Sequence, residues 1–336
     1  MASVENERPV RSLRIGVVGV GGMGAFHART LAGLGGVDVV AVADPHEPNA
    51  VATAEAVGAE AFTDPLALAS SEELDGVVIA SPDATHPELA IAALERGTFV
   101  LCEKPLATTV GDARRVVDAE LALGRRLVQV GFMRQYDPAH VQVAAALPSI
   151  GRIDYLRAVH RNAGADPRPL ERVVCQSMVH DIHSVRFLTG EEFAAVTAFA
   201  SGPFPSGGYR HVLAVCTLTS GAHASLEFDD TAFAYEVSVE VVGADGDLLT
   251  GGPVRATRRH GGSLDVHLGT DWFGWFAEAY RIQDAAWIAS IRENRTSGPS
   301  VWDGYVAQMV VDAVIRSSTS GRTEPVELPE HPGLYA

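Results

Sequence analysis

Ile15-Gly16-Val17-Val18-Gly19-Val20-Gly21-Gly22-Met23-Gly24 is an apolar strand running into Gly-x-Gly-x-x-Gly and then into a helical stretch. In this arrangement Gly19 allows a tight turn, Gly21 lets backbone approach a pyrophosphate, and Gly24 lets helix and strand pack closely. The phosphates sit on the helix N-terminus, where free N–H groups and the dipole favour an anion. Val37–Ala43 reads as the second strand, with Asp44 at its tip, twenty residues beyond Gly24. That is the place of the carboxylate that takes the adenosine ribose hydroxyls. An ordinary βα turn capped by an aspartate would need fewer of these residues, so dinucleotide binding is the stronger reading. An acid at position 44 repels a 2′-phosphate, and no Arg or Lys lies between Val37 and Phe62 to attract one. NAD is therefore expected over NADP. Eighty residues on, Glu103-Lys104-Pro105 ends another apolar strand. It puts Lys104 at the sheet edge where open α/β folds bind their ligands.

The 336 residues suffice for two domains. A 47% hydrophobic, 20% charged composition is that of a globular protein with a sizeable core. The net charge of −16 disfavours nucleic acid and anionic membrane surfaces as partners. Cys102, Cys175 and Cys216 are odd in number and lack metal-like spacing. With no signal-peptide pattern and no apolar run long enough to span a bilayer, a cytoplasmic location is expected.

Strand and helix patterns alternate over the first 130 residues. The strands are near-continuously apolar, which argues a parallel sheet covered on both faces. After Gly131 the pattern changes. A strand over Gly151–Asn162 precedes a helix over Ser177–Leu188, and closely spaced strand patterns follow between Ala194 and Thr250. This argues a mainly antiparallel, open sheet with one face under the helix and the other free to pair with a second subunit. Two long helices, near Trp275–Glu293 and Val301–Ser318, close the chain. Gly251–Gly274 reads as an irregular loop. The expected organisation is thus an α/β Rossmann domain over 12–131 and an α+β domain over 132–336, with the C-terminal helices packing back on the first domain and residues 1–11 a loose tail.

In the Ser177–Leu188 helix, Met178, Ile182, Val185 and Leu188 form a buried stripe. Gln176, His180 and His183 fall on roughly the opposite face, looking either into a cleft or into water. His160 and Asn162, two apart on a strand, share a face. His180, Asp181 and His183 prompt a metal reading, but no third ligand has diagnostic spacing and no metal is expected.

Several segments together resemble the glucose–fructose oxidoreductase/inositol dehydrogenase/MocA superfamily. They are Gly19-Val20-Gly21-Gly22-Met23-Gly24, Ala41-Val42-Ala43-Asp44-Pro45, Ser81-Pro82-Asp83-Ala84-Thr85-His86 and Glu103-Lys104-Pro105-Leu106-Ala107. Further along come Gly131-Phe132-Met133-Arg134, His160-Arg161-Asn162, His180-Asp181-Ile182-His183 and Trp302-Asp303-Gly304-Tyr305. The resemblance spans nearly the whole chain and is nearest to the myo-inositol 2-dehydrogenase branch. It implies NAD-linked hydride transfer at a ring carbon bearing a hydroxyl or ketone, in a cyclitol or sugar polyol. It adds Ser81, His86 and Glu103 to the cofactor-binding set of Gly19, Gly21, Gly22, Met23, Gly24, Asp44 and Lys104. It makes Lys104 and His180 catalytic, with Gln176 at the third catalytic position and a cis Lys104–Pro105 bond, and puts Arg134, His160, Asn162, His183 and Tyr235 (or Tyr280) at the substrate. Assembly as a homodimer or homotetramer is also implied.

Two positions depart from the family. Relatives carry Asp where this chain has Gln176, and the inositol branch carries Asp where it has His183. Gln176 cannot form a charged pair with an imidazolium, though it can hydrogen-bond the ring. Exchanging an acceptor-only Asp for His alters the hydrogen-bond code of the pocket. A keto-sugar or aminocyclitol oxidoreductase and a non-catalytic NAD-binding regulator are the competing readings. Intact Lys104 and His180 argue against the regulator.

Overall fold

The computed structural model describes residues 11–164, 167–205, 207–251, 257–260, 263–266 and 271–336. The expected tail lies almost wholly outside them. The chain forms two units: residues up to Glu103 with Asp118–Gln129 and Asp284–Ser297, and Lys104–Val117 with Val130–Gln283 and Gly298 onward.

The first unit is built on a parallel sheet in the order β3-β2-β1-β4-β5-β6. Its strands are β1 (Leu13–Val18), β2 (Val37–Ala43), β3 (Glu60–Phe62), β4 (Gly76–Ile79), β5 (Phe99–Glu103) and β6 (Val128–Gly131). This is the doubly wound order, with its switch point between β1 and β4. β4, β5 and β6 are buried at every residue, as strands covered on both faces must be. The helices are α1 (Gly22–Ala32), α2 (Glu47–Val57), the short α3 (Pro65–Ala69), α4 (His86–Glu95) and α5 (Val110–Leu123). The α3 turn escapes a periodicity search because it is only five residues long. Asp64 caps it by accepting from Leu66 and Ala67 N–H.

The second unit holds α6 (Pro138–Ala146), β7 (Ile153–Ala163), α7 (Leu170–Val173), a π-helical turn (Val174–Met178) and α8 (Val179–Thr189). Strands β8 (Phe193–Ser201), β9 (His211–Leu218), β10 (His223–Ala232), β11 (Glu236–Gly243) and β12 (Gly246–Leu249) follow, and β15 (Glu324–Pro325) completes the sheet. The order is β12-β11-β7-β10-β9-β8-β15. Neighbouring strands are antiparallel except β7 and β10, which run parallel. β9, β10 and β11 alternate buried and half-exposed residues, so one face is core and the other open. The expected helix start at Ser177 is corrected: α7, the π turn and α8 run on from Leu170 to Thr189, because the wider turn breaks the 3.6-residue period. The Gly251–Gly274 region is not wholly irregular either. β13 (Thr257–His260) and β14 (Ser263–Val266) pair as an antiparallel hairpin, and only two residues separate them, a hairpin signal that the Gly-rich composition masked.

Helix α9 (Trp272–Arg292) contributes its last turns to the first unit. There Trp287 is fully buried beneath Gly76, where a Cβ would lie 2.9 Å from the indole. Helix α10 (Val301–Ser320) starts at a capping box, with Ser300 and Asp303 each holding the other's backbone N–H.

The same last turns of α9 bring Asp284 to His27 of α1. His27 is wholly buried, donating from Nδ1 to Asp284 at 2.9 Å and from Nε2 to Glu103 at 3.1 Å. Burial alone would drive its pKa down, but the two carboxylates overcome that and raise it to about 10. A group whose pKa rises on folding contributes stability that is complete below its unfolded value and is lost as pH climbs through the folded one. Urea unfolding from pH 6.5 to 10 should therefore show a decline in stability that is shallower in His27→Gln. Identical slopes in parent and variant would contradict the imidazolium.

Candidate functional site

In the first unit the glycine loop lies across the strand tips. Gly19 has φ +79°, and a Cβ there would fall 2.4 Å from the Ser81 Cα. A Cβ on Gly24 would fall 1.9 Å from the Gly19 carbonyl oxygen, so only glycine lets α1 sit this close to β1. Gly21 and Gly22 face open space, and no side chain caps the N-terminus of α1. Met23 is half-buried behind them. Asp44 Oδ2 accepts from Val20 N–H at 3.0 Å and Oδ1 from His46 N–H at 2.9 Å. The carboxylate is thus fixed beside the loop with lone pairs to spare for hydroxyl donors. Ser81 Oγ and Thr85 Oγ1 are 2.7 Å apart, and buried His86 donates from Nε2 to the Ser81 carbonyl, which holds the loop after β4. A cleft of about 720 Å³ runs along these residues, lined by Gly19, Gly21, Asp44, Ser81 and Thr85 among others. An uncapped helix N-terminus, a cradle that a Cβ would fill and a fixed acid fit a dinucleotide. Glu103 ends β5 and is pinned by His27.

The second unit gathers the polar groups expected at the substrate. Lys104 is joined to Pro105 by a cis bond and donates from Nζ to the Gln176 carbonyl, in the π turn, at 2.9 Å. The Gln176 side chain accepts from Arg172 Nε at 3.0 Å. His180 is buried, and its Nδ1 has no hydrogen-bond partner. Burial, followed by the charges of Lys104 and Arg134, takes its pKa well below the usual range, so the imidazole is neutral at working pH. The helix face of His180 and His183 is therefore interior, and the solvent alternative is excluded.

His183 lies flat on Phe132, with ring centroids 4.2 Å apart and planes within 8°. Burial takes its pKa down to about 3, against the pull of Asp303. Arg134, 1% exposed, forms an ion pair with Asp181, and His160 Nδ1 lies 3.1 Å from its other terminal nitrogen and 3.2 Å from Asp181 Oδ2. Burial would raise the Asp181 pKa, but Arg134 and His160 hold it low. Tyr235 presents its ring edge to His160 at 5.9 Å. Burial raises its phenol pKa. Asn162 donates to Asp230 at 2.9 Å. Tyr280 is buried against Trp272.

Sequence reasoning missed Asp181 as a partner, although it sits between the two histidines already singled out. It also missed His27, Asp284 and Asp230, for which no local pattern exists. Among the described residues no group of three His, Cys, Asp or Glu converges on a metal-sized site.

Fold and residues together define an oxidoreductase built on a dinucleotide-binding Rossmann unit. Residues 13–132 match the family model described as "Oxidoreductase family, NAD-binding Rossmann fold", and 173–328 match "Oxidoreductase family, C-terminal alpha/beta domain". The chain belongs to the Gfo/Idh/MocA oxidoreductase family. It is 40% identical to Inositol 2-dehydrogenase 2 of Saccharopolyspora erythraea, over 97% of this chain and 98% of that one. It is also 40% identical to Inositol 2-dehydrogenase of Rubrobacter xylanophilus, over 96% of each. The crystal structure of myo-inositol dehydrogenase from Lactobacillus casei in complex with NAD(H) and myo-inositol superposes with a TM-score of 0.92 at 28% identity, covering 97% of this chain and all of that one.

With Asp44 fixed by two backbone N–H groups, this protein should bind NADH more tightly than NADPH in a fluorescence titration. Asp44→Ser should narrow the ratio by about tenfold, the scale of one charge-assisted contact. Tighter binding of NADPH by the parent would overturn the role given to Asp44.

Proposed function

We propose that this protein is an NAD-dependent dehydrogenase that interconverts a ring hydroxyl and ketone of a cyclitol or closely related polyol. Residues 12–131 would bind NAD, and residues 132–336 the substrate and a second subunit. The carrying observation is the pairing of a lysine ammonium seated on the Gln176 carbonyl with a buried, neutral His180 whose Nδ1 is unpartnered. The identity to inositol 2-dehydrogenases over nearly the full length supports the substrate class.

Gly19, Gly21, Gly22, Met23, Gly24, Asp44, Ser81 and His86 would hold the cofactor, with Glu103 and Lys104 at the next strand tip. Bound NAD supplies the hydride acceptor. The protein's own work is on the proton and the orientation. Lys104 orients the reacting hydroxyl, and its ammonium lowers the cost of an alkoxide. His180, neutral, takes the proton during oxidation and returns it during reduction. Arg134, locked by Asp181, holds His160, and with Asn162 and Tyr235 they provide directional contacts to further hydroxyls. Gln176 and His183 place an amide and a neutral ring where carboxylates would favour plain inositol, which points to a modified cyclitol.

No helix among the described residues is long and apolar enough to cross a membrane. All three cysteines are free and buried, as suits a reducing cytoplasm. Phe199 and Val215, 60% and 40% exposed on the open sheet face, support homodimer or homotetramer assembly through that face.

Two measurements test the chemistry. Lys104→Ala should lose at least about a hundredfold in kcat on the best cyclitol while folding survives; near-parent turnover would refute the assignment. Oxidation needs neutral His180, so activity should persist below pH 6.5 in the parent. A carboxylate four residues earlier favours the imidazolium, so Gln176→Asp should move the acid limb up by about one to three pH units. An unmoved limb would mean that position 176 does not address His180.

A further inference from the structure

β7 and β10 run parallel, with His160 opposite Phe228 and Arg161 opposite Asp229. Two residues further along each strand, on the same face, stand Asn162 and Asp230. Asp230 is fully buried and is enclosed by donors. Asn162 Nδ2 donates to its Oδ1 at 2.9 Å. Arg168 grips both oxygens, with Nη2 2.7 Å from Oδ1 and Nε on Oδ2. The same Arg168 Nη2 donates to Ser177 Oγ at 3.2 Å, in the π turn beside Gln176. One carboxylate therefore joins strand β7, strand β10 and the turn whose carbonyl seats Lys104.

The chemistry of the pair restricts Asn162. An ionised carboxylate only accepts, so the amide must turn its NH2 toward Asp230. With one N–H on Asp230, the carbonyl oxygen is turned away from the carboxylate toward the half-exposed side, with the second N–H beside it. Without Asp230 the amide would be free to present either end.

We propose that Asp230 is a specificity-setting positioning residue: it commits Asn162 to offer a hydrogen-bond acceptor to a substrate hydroxyl and, through Arg168 and Ser177, holds the turn on which Lys104 rests. This rests on the polyol reading above and adds to it a stated polarity. At Asn162 the protein favours a hydroxyl, which can donate to that carbonyl oxygen, over a ketone or ether oxygen, which cannot.

The test is a charge swap. Asn162→Asp sets two carboxylates face to face and should weaken cyclitol binding about tenfold by calorimetry, raise KM in proportion and lower Tm. Adding Asp230→Asn to it restores a donor between the strands and again leaves an acceptor for the substrate. Cyclitol affinity, KM and Tm should then recover to within about threefold, or a few degrees, of the parent. NADH affinity should stay constant throughout, which a general loss of structure would not allow. Deleting the facing hydroxyl from the cyclitol should abolish the difference between parent and Asn162→Asp. Recovery of Tm without recovery of cyclitol affinity would overturn the specificity role and leave a purely structural tie. No effect of Asn162→Asp on cyclitol affinity would overturn it as well. If the parent binds and turns over no polyol while the swap still restores Tm, the substrate class has failed, and the specificity role fails with it.

Discussion

A guanidinium that is 1% exposed must find its counter-charge inside the protein, and Arg134 finds it in Asp181. Removing either partner would strand the other, at a cost of about 3–5 kcal/mol. The pair fixes more than itself. Asp181 lies on α8 between His180 and His183, so anchoring it sets the rotation of that helix. Arg134 also holds His160 on β7 and lies over the Phe276 ring at 5.7 Å. Helix, strand and loop are thereby bound to one geometry. The positive charge so placed helps keep His180 neutral. As the proposed base, His180 could accept a proton from an alcohol only in that form.

The first unit uses the same device with a different cation. There the buried cation is an imidazolium, and the anions are Glu103 and Asp284. It links the helix that begins at the glycine loop to the end of the strand that precedes Lys104. Only charge-assisted bonds to both nitrogens make such burial tolerable.

The π turn over Val174–Met178 is a third departure from regular structure around these residues. It leaves the Gln176 carbonyl available to Lys104 while the Gln176 side chain goes to Arg172. Departures from regular helix of this kind concentrate at functional sites because they free backbone groups for ligands or catalytic side chains.

The sequence by itself determined the Rossmann half almost completely. The glycine spacing, the all-apolar strands and Asp44 are local signals, dictated by sterics and by the need to bury both faces of a parallel sheet. It also determined the alternating strands of the second sheet and brought Lys104, His180 and His160 into view as chemistry-bearing residues. Short or aperiodic elements were illegible: α3, α6, the hairpin at β13–β14 and the π turn carry too few residues or the wrong period. Only the tertiary structure decided which way the His180 face looks, since an amphipathic helix with polar residues opposite its stripe suits water and a polar cleft equally. Only it could pair His27 with Asp284, 257 residues away, or Asn162 with Asp230. Buried charges choose their partners by proximity in space, and nothing in the spacing of residues along a chain records that choice.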